Sequence, residues 1–269
     1  MSTPMPNILL VGASGSGKTT ALRTLVDAGL ELFVVFTEPH MDMLADLPKE
    51  KVHWKYIPPS TEGWGAMETK AKTMSAMSWD ALQKMTSDPN KAKYDAWLKL
   101  IRTMQNFHCD RCEQDFGDVT TWGKDRALVI DSLSGINKMA MQFVRGEAVA
   151  TSQPQWGAAM NLELGLVGEK LCYDTECLYV LISHLERQID EINGGMILMP
   201  LALGKKNAPE LPKNFNDTIM CVKEGTKFTW STAKMNVDLK GRNLPTADGL
   251  EPSFVPLIET WKGRTQNGT

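Results

Sequence analysis

The stretch NILLVGASGSGKTTALRTLVDAG, residues 7–29, joins an apolar run, a glycine-rich loop and a helical pattern. The apolar run at 8–11 is typical of a buried strand. The loop at 12–19 fits G-x-x-x-x-G-K-[ST] in full, the pattern of a phosphate-binding loop between a strand and a helix. Its glycines let backbone N–H groups turn toward an anion, and the following helix adds its positive dipole end. A chance Gly/Ser turn would not explain strand, loop and helix together.

The loop chemistry predicts a nucleoside triphosphate as ligand, together with Mg²⁺. In such a loop Lys18 reaches the β- and γ-phosphates, and the Thr19 hydroxyl ligates the ion. The predicted phosphate-binding residues are Gly12, Ala13, Ser14, Gly15, Ser16, Gly17, Lys18, Thr19 and Thr20.

Length and composition are those of a globular α/β protein. The 269 residues are 42% hydrophobic, enough for a full core, and we expect a single domain over 1–269. The net charge of −3 excludes a strongly basic nucleic-acid footprint over the whole chain, so any DNA contact must be local. Five scattered cysteines, with no apolar span or signal peptide, predict a cytoplasmic protein without membrane contact.

Further apolar runs at 32–36, 127–130 and 178–182 predict parallel strands covered on both faces. Helical patterns lie between them, which favours a wound α/β sheet. One stripe at helical spacing precedes the last of these strands: Trp156, Met160, Leu164, Val167 and Leu171. Trp156 is interpreted as a packing residue of the core, with stacking on a nucleic-acid base as the alternative.

The remaining segments differ in character from this core. Residues 58–125, rich in Met, Lys and Trp, predict a helical insertion with helices at about 64–86 and 90–107. Residues 196–203 predict another strand. Two antiparallel strands are expected at 218–222 and 227–232, followed by a proline-containing, loop-like tail at 244–269.

Three strands end in polar residues that suit phosphate chemistry. Asp131 lies at the end of a buried apolar run, the position of the acid that helps to hold Mg²⁺ in phosphate-loop enzymes. Glu38 follows the strand after the loop helix, where it is either the base that activates water or a solvated loop acid. His184 either senses the γ-phosphate or attacking water, or is a rim histidine satisfied locally.

Two further pairs leave alternatives open. Lys240 and Arg242 would share one face of a strand and stabilise phosphate charge, within the chain or in a neighbouring subunit, unless they form an ordinary basic turn. Cys109 and Cys112 form one C-x-x-C, but zinc needs four ligands and no second pair stands at a suitable spacing. Incidental thiols are favoured over zinc or redox chemistry.

The motif series resembles RecA-like ATPases, and among them the compact phage-encoded group associated with single-strand annealing and recombination. The series, over residues 7–258, is GASGSGKT (12–19), VVFTEP (34–39), LVIDSLSGI (128–136), LISHLERQ (181–188) and DLKGRNLP (238–245). The resemblance implies a three-layer α/β/α sandwich with a mostly parallel central sheet and antiparallel strands at its C-terminal edge.

The resemblance also implies roles for the candidate residues. Glu38 matches the glutamate that activates water, and Asp131 the acid of the third motif. His184 stands where replicative helicases of this class carry Gln, a departure that leaves coupling to DNA open. Lys240 and Arg242 match a finger projected into the next subunit's site, which implies a homo-oligomer with shared ATP sites.

The function implied is Mg²⁺-dependent ATP hydrolysis coupled to single-stranded DNA in phage recombination or replication. DNA-binding loops are expected at about 145–156 and 189–213, with Arg145, Lys205 and Lys206 as the available cations. A phage single-strand-binding protein is the protein partner that the resemblance implies. The alternatives are a small-molecule or nucleotide kinase, an ATPase of phage assembly or DNA packaging, and a poorly hydrolysing regulator.

Overall fold

A seven-stranded sheet forms the centre of the computed structural model, which describes residues 3–78, 80–81, 94–146, 151–189 and 194–266. The strands of the chain are β1 Asn7–Gly12, β2 Glu31–Phe36, β3 Val52–Tyr56, β4 Arg126–Asp131, β5 Leu178–Ser183, β6 Leu185–Ile189, β7 Met196–Pro200, β8 Asp217–Glu224 and β9 Lys227–Ser231. The central sheet has the order β3-β2-β4-β5-β1-β8-β9, while β6 and β7 form a separate antiparallel hairpin.

The sheet is parallel except at one edge. Strand β1 pairs in parallel with β5 on one side and with β8 on the other. Strand β9 pairs antiparallel with β8 across a turn at Gly225, which has a φ of 59°. The sequence correctly predicted that β8 and β9 are antiparallel to each other, but only β9 runs against the remainder of the sheet.

Helices cover both faces of the sheet. The α-helices are α1 Lys18–Ala21, α2 Arg23–Asp27, α3 Trp64–Ser75, α4 Ala96–Gln105, α5 Leu133–Arg145, α6 Gln153–Glu163, α7 Leu171–Asp174, α8 Gly204–Glu210 and α9 Val255–Gln266. A π-helix spans Leu164–Lys170, and 3₁₀-helices span Met41–Leu44, Val119–Thr121 and Leu211–Asn214.

Two apolar clusters hold the layers together. One face of the sheet packs on α4, α5, α6 and the π-helix through residues such as Leu100, Ile136 and Val167. The other face packs on α2 and α9 through Leu25 and Leu257. Burying one such side chain stabilises the fold by about 1.5–3 kcal/mol. The α/β/α sandwich with a mostly parallel central sheet, as predicted from the sequence, is therefore confirmed.

Several predicted segments require correction. The tail is not all loop, because α9 occupies Val255–Gln266; Pro256 lies in its first turn, where a missing N–H is tolerated. The strand predicted at 196–203 ends at Pro200, and its partner β6 was not predicted. Strand β3, at the sheet edge, was also not predicted.

The insertion is helical only in part. Within it α3 is exposed, α4 packs on the core, and 106–125 has little regular structure. The predicted helices at about 64–86 and 90–107 fall partly outside the described residues. That the chain forms a single domain stays a prediction. Among the helices that the structure describes, none combines the length and apolarity needed to cross a membrane.

Candidate nucleotide site

The glycine-rich loop begins where β1 ends and closes at the start of α1. Gly15 and Gly17 have φ values of 69° and 87°, a left-handed conformation that side chains disfavour. A Cβ on Gly12 would lie 2.6 Å from Ser16 Oγ and 2.7 Å from the Cys221 carbonyl oxygen. Steric constraints thus favour glycine at all three motif positions. The loop can turn its backbone N–H groups inward and form an anion nest.

A cavity of about 300 Å³ opens beside this loop. It is lined by Ser14, Gly15, Ser16, Gly17, Lys18, Thr19, Thr20, Glu38, His40, Met43, Asp131 and His184. The structure therefore brings together five predicted candidates: Lys18 and Thr19 from the loop, and Glu38, Asp131 and His184 from the ends of three strands. They meet because β1, β2, β4 and β5 are parallel, so that their carboxyl ends reach the same sheet edge.

Lys18 is buried, and its ammonium already faces oxygen atoms. Its Nζ donates to the carbonyl oxygens of Gly12 at 2.9 Å and Ala13 at 2.7 Å. Burial lowers the pKa of Lys18, while the nearby charges of Asp131 and Glu38 oppose that shift. Phosphate oxygens would favour the charged form further, so the residue fits an anionic ligand.

Thr19 and Asp131 form the second pair of the site. The Thr19 hydroxyl donates to Asp131 Oδ2 at 2.6 Å. Burial raises the pKa of Asp131, and the charge of Glu38 acts in the same direction. A buried carboxylate beside a hydroxyl offers the hard oxygen ligands that Mg²⁺ prefers. These residues therefore fit a magnesium ion.

Glu38 is held at the cavity wall by neighbours that the motifs alone did not assign. Ser132 Oγ donates to Glu38 Oε1 at 2.9 Å, and His40 Nε2 lies 3.3 Å from Glu38 Oε2. The Ser132 N–H also donates to Thr37 Oγ1 at 2.9 Å, and this hydroxyl donates to the Ser132 carbonyl oxygen at 3.0 Å. The ends of β2 and β4 are thereby joined. In the sequence, Ser132 was signalled only as the residue after Asp131 in the motif LVIDSLSGI, and His40 had no signal.

His184 follows β5 directly and is half-buried at the cavity. Burial lowers its pKa, and the positive charge of Lys18 adds to the shift. Both effects favour the neutral imidazole, which can both donate and accept a hydrogen bond. Its carbonyl oxygen accepts from the Leu201 N–H at 2.8 Å, which links the site to the end of the β6–β7 hairpin.

Lys240 and Arg242 are not brought to the site of their own chain. Lys240 forms a single bridge with Thr218, and the Arg242 N–H donates to Asp217 Oδ1 at 2.7 Å. Asp217 pairs with Ile8 at the start of β1, whereas the loop follows its end. A six-residue strand separates these ends by about 17 Å. A role within the chain is thus disfavoured; a role in a neighbouring subunit stays a prediction.

The cations predicted to contact DNA lie on two helices. Arg145 ends α5 and is half-buried. Lys205 and Lys206 are exposed on α8, which follows the hairpin. Residues 147–150 and 190–193 of the predicted DNA loops lie outside the described residues.

No protein-family model matches this sequence, and no curated protein matches it. The solved structures that match it include the following two. The flagellar accessory protein FlaH from Methanocaldococcus jannaschii is 8% identical with a TM-score of 0.37, over 87% of this chain and 80% of that one. The RadB recombinase is 12% identical with a TM-score of 0.37, over 93% and 86%.

Proposed function

We propose that this chain is a Mg²⁺-dependent RecA-like ATPase. The observation that carries the proposal is the convergence of Lys18, Thr19, Asp131 and Glu38 on one cavity beside the glycine-rich loop. Each of the four has a chemical part in phosphoryl transfer, and each reaches the cavity from the end of a strand or from the loop itself.

The loop and Lys18 bind the phosphates of ATP. The Lys18 ammonium can exchange the carbonyl oxygens of Gly12 and Ala13 for phosphate oxygens, since all are acceptors of the same kind. Thr19 and Asp131 hold Mg²⁺, which when bound neutralises charge that develops on the phosphates.

Glu38 takes the proton of the attacking water. The water oxygen bonds to the γ-phosphorus, the bond from that phosphorus to the β–γ bridging oxygen breaks, and the proton passes to Glu38. The Glu38 side chain is 31% exposed, so it can exchange protons with solvent, whereas Asp131 is buried and bonded to Thr19. Ser132 and His40 orient the Glu38 carboxylate, and neutral His184 can hydrogen-bond the water or the γ-phosphate.

A finer proposal couples hydrolysis to single-stranded DNA in phage recombination or replication. Support comes from chain connectivity: His184 leads directly into the β6–β7 hairpin, which exposes Ile189 and Met196 and is followed by Lys205 and Lys206. A change at the γ-phosphate can thus reach a surface able to contact bases and phosphates. The proposed assembly is a homo-oligomer, with a phage single-strand-binding protein as a further partner.

A kinase is a weaker candidate because kinases usually close an arginine-rich lid over the transferred phosphate. The insertion at 58–125 contains two arginines, Arg102 and Arg111, and neither lines the cavity beside the glycine-rich loop. Arg111 instead donates to the carbonyl oxygens of Ala45 and Leu47 at 2.7 Å.

The test is ATP hydrolysis by the purified protein with and without single-stranded DNA. We expect Lys18→Ala to lose nucleotide binding. Glu38→Gln should keep binding while kcat falls by about 10²–10⁴-fold, because a general base is lost. Lys49→Ala and Glu50→Gln, both exposed, are the matched controls.

The outcomes separate the two levels of the proposal. Hydrolysis that rises with DNA and disappears in both site variants supports both levels. If DNA does not change the rate of ATP hydrolysis, the ATPase proposal stands and the proposed coupling to DNA is overturned. Unchanged hydrolysis in Glu38→Gln contradicts its assignment as the base.

A further inference from the structure

A cluster of three metal-ligating side chains lies at the β3 edge, outside the nucleotide site. His53 of β3 meets Cys109 and Cys112, and their ligand atoms all lie within 4.8 Å of one another. The C-x-x-C alone lacked a partner in the sequence. The fold supplies a third ligand from a strand much earlier in the chain.

The distance between Cys112 and His53 matches tetrahedral zinc. Cys112 Sγ lies 3.4 Å from His53 Nδ1. In a tetrahedral site with usual zinc–sulfur and zinc–nitrogen bond lengths, a sulfur and a nitrogen ligand are about 3.5 Å apart. No backbone movement is needed to bring this pair to a shared ion.

The His53 ring is oriented by the carboxylate of Glu31. Its Nε2 lies 3.2 Å from Glu31 Oε1, and Glu31 Oε2 accepts from Arg126 Nε at 2.9 Å. A proton on Nε2 therefore donates to Glu31 and leaves the Nδ1 lone pair facing the sulfurs. Such carboxylate–histidine pairs orient metal-binding imidazoles. Phe33 stacks on the His53 ring at 4.7 Å between centroids and fixes its plane.

The cysteine turn is anchored without help from an ion. Asp110 Oδ2 accepts from the Tyr56 N–H, and the Asp110 N–H donates to the Trp54 carbonyl oxygen, both at 2.8 Å. Arg111 donates to the carbonyl oxygens of Ala45 and Leu47 at 2.7 Å and lies over the Trp54 ring. The two residues between the cysteines thus attach the turn to β3 and its preceding loop.

The backbone of the turn directs an N–H group at sulfur. The Arg111 N–H donates to Cys109 Sγ at 3.3 Å, and the Glu113 N–H closes the turn on the Cys109 carbonyl oxygen at 2.9 Å. Glu113 has a φ of 59°, the conformation required by this tight return. The turn thus holds Cys109 Sγ beside His53 and Cys112.

We propose that His53 Nδ1, Cys109 Sγ and Cys112 Sγ bind a Zn²⁺ ion, with water in the fourth position. His53 and Cys109 are buried, whereas Cys112 is partly exposed, so the fourth position faces solvent on the Cys112 side. Two thiolates and a neutral imidazole carry a charge of −2, which the ion balances. The ion joins the segment at 106–122 to the edge of the central sheet.

The experiment is metal analysis of the full chain expressed with zinc and purified under reducing conditions without chelator. We expect about one zinc per chain. Cys112→Ser and His53→Ala should lose the ion, and circular dichroism checks that each variant is folded. His108→Ala is the matched control: His108 is the neighbour of Cys109, but it is partly exposed and paired with Asp115 at 3.0 Å.

Two further readouts make the assignment specific. Co²⁺ added to the metal-free protein should give thiolate charge-transfer absorption and the intense visible bands of tetrahedral coordination. Glu31→Gln should retain metal at saturation but bind it about 10–100-fold more weakly in competition with a chelator. Equal loss in His53→Ala and His108→Ala overturns the ligand set. Metal-free wild-type protein without Co²⁺ bands overturns the site, and a Cys109–Cys112 disulfide under these conditions would indicate a redox pair instead.

Discussion

The two carboxylates of the candidate nucleotide site differ in their surroundings, and this difference supports the separate roles that we propose for them. Asp131 is buried and bonded to the Thr19 hydroxyl, which suits a fixed ligand of a cation. Glu38 is partly exposed and accepts from Ser132, which suits a group that takes and releases a proton. Residues of the same chemical class thus receive separate roles from burial and hydrogen bonding.

Ser132→Ala tests whether Glu38 needs orientation. The variant loses the hydroxyl that donates to Glu38 but keeps the Ser132 backbone bonds to Thr37. A hydrogen bond to a charged group is worth about 1.5–3 kcal/mol, so we expect kcat to fall about 10–100-fold with little change in KM. Steady-state kinetics measure this, with Ser134→Ala as control because no hydrogen-bond partner of Ser134 Oγ is described. Wild-type kcat in Ser132→Ala would show that His40 alone suffices.

How far the sequence predicted the site depends on how local each residue's signal is. Lys18 and Thr19 belong to a continuous motif, and Asp131, Glu38 and His184 follow apolar strands whose ends must meet in a parallel sheet. His40 and His53 carry no such signal. His53 becomes a candidate ligand only because β3 pairs with β2 beside the cysteine turn. A local sequence pattern does not predict such long-range pairing of an edge strand.

Among the strands and helices, the sequence pattern failed to predict β3 and β6, and it misplaced residues around the π-helix. Strand β3 reads VHWKY and β6 reads LERQI, so neither shows an apolar run. Trp156 was interpreted as a packing residue in a helical stripe, yet it is 38% exposed. The π-helix at Leu164–Lys170 has wider turns than an α-helix, so residues before and after it do not share the expected face.

The packing of α5 against the end of β2 requires glycine at 135. A Cβ there would lie 2.2 Å from Thr37 Oγ1, and nothing flexible can move away. We expect Gly135→Ala to lower the free energy of unfolding by about 1–3 kcal/mol, the usual effect of overpacking. Gly157→Ala on α6 is the control, since its Cβ meets open space, and it should stabilise by about 0.5–1 kcal/mol. Urea unfolding measures both, and equal effects would contradict the steric argument.

The junction of α6 with α8 makes stability depend on pH. Burial raises the pKa of Glu163 from 4.5 to about 7, although Asn207 and the Leu203 N–H donate to its carboxylate. The folded state therefore keeps a proton that the unfolded chain releases. Stability from this group is full below pH 4.5 and is lost as the pH rises toward 7, by about 3 kcal/mol.

Glu163→Gln tests this dependence. The amide keeps an oxygen to accept from Leu203 and Asn207 but does not titrate. We expect the variant to gain stability relative to the wild type at pH 8 and to differ much less at pH 4.5, as measured by denaturant unfolding. Glu169→Gln, an exposed carboxylate on the neighbouring π-helix, should follow the wild type at both pH values. Parallel curves for Glu163→Gln and wild type would rule out titration of Glu163 in this range.

For the whole molecule, the two ends of the parallel sheet carry complementary chemistry. The phosphate loop lies at the carboxyl end of the strands, while Lys240 and Arg242 lie at the amino end. Asp217 fixes the chain beside Arg242 by accepting from the Arg242 and Asn243 N–H groups. A cation about 17 Å from its own site is placed to serve another copy only in a head-to-tail assembly, in which one subunit's amino end faces the next one's loop.

Mixing two inactive variants tests the shared site. Lys18→Ala lacks the phosphate ligand, and Arg242→Ala lacks the finger. In a head-to-tail assembly, the site of an Arg242→Ala subunit keeps its own Lys18. It receives an intact Arg242 from a Lys18→Ala neighbour. An equal mixture should therefore recover about a quarter of the wild-type ATPase rate, since a quarter of random neighbours have that order. Lys262→Ala, an exposed cation on α9, should need no complementation. If Arg242→Ala alone is fully active, the finger assignment fails. If both variants are inactive and mixing recovers nothing, Arg242 acts through its own fold rather than on a neighbour's phosphate.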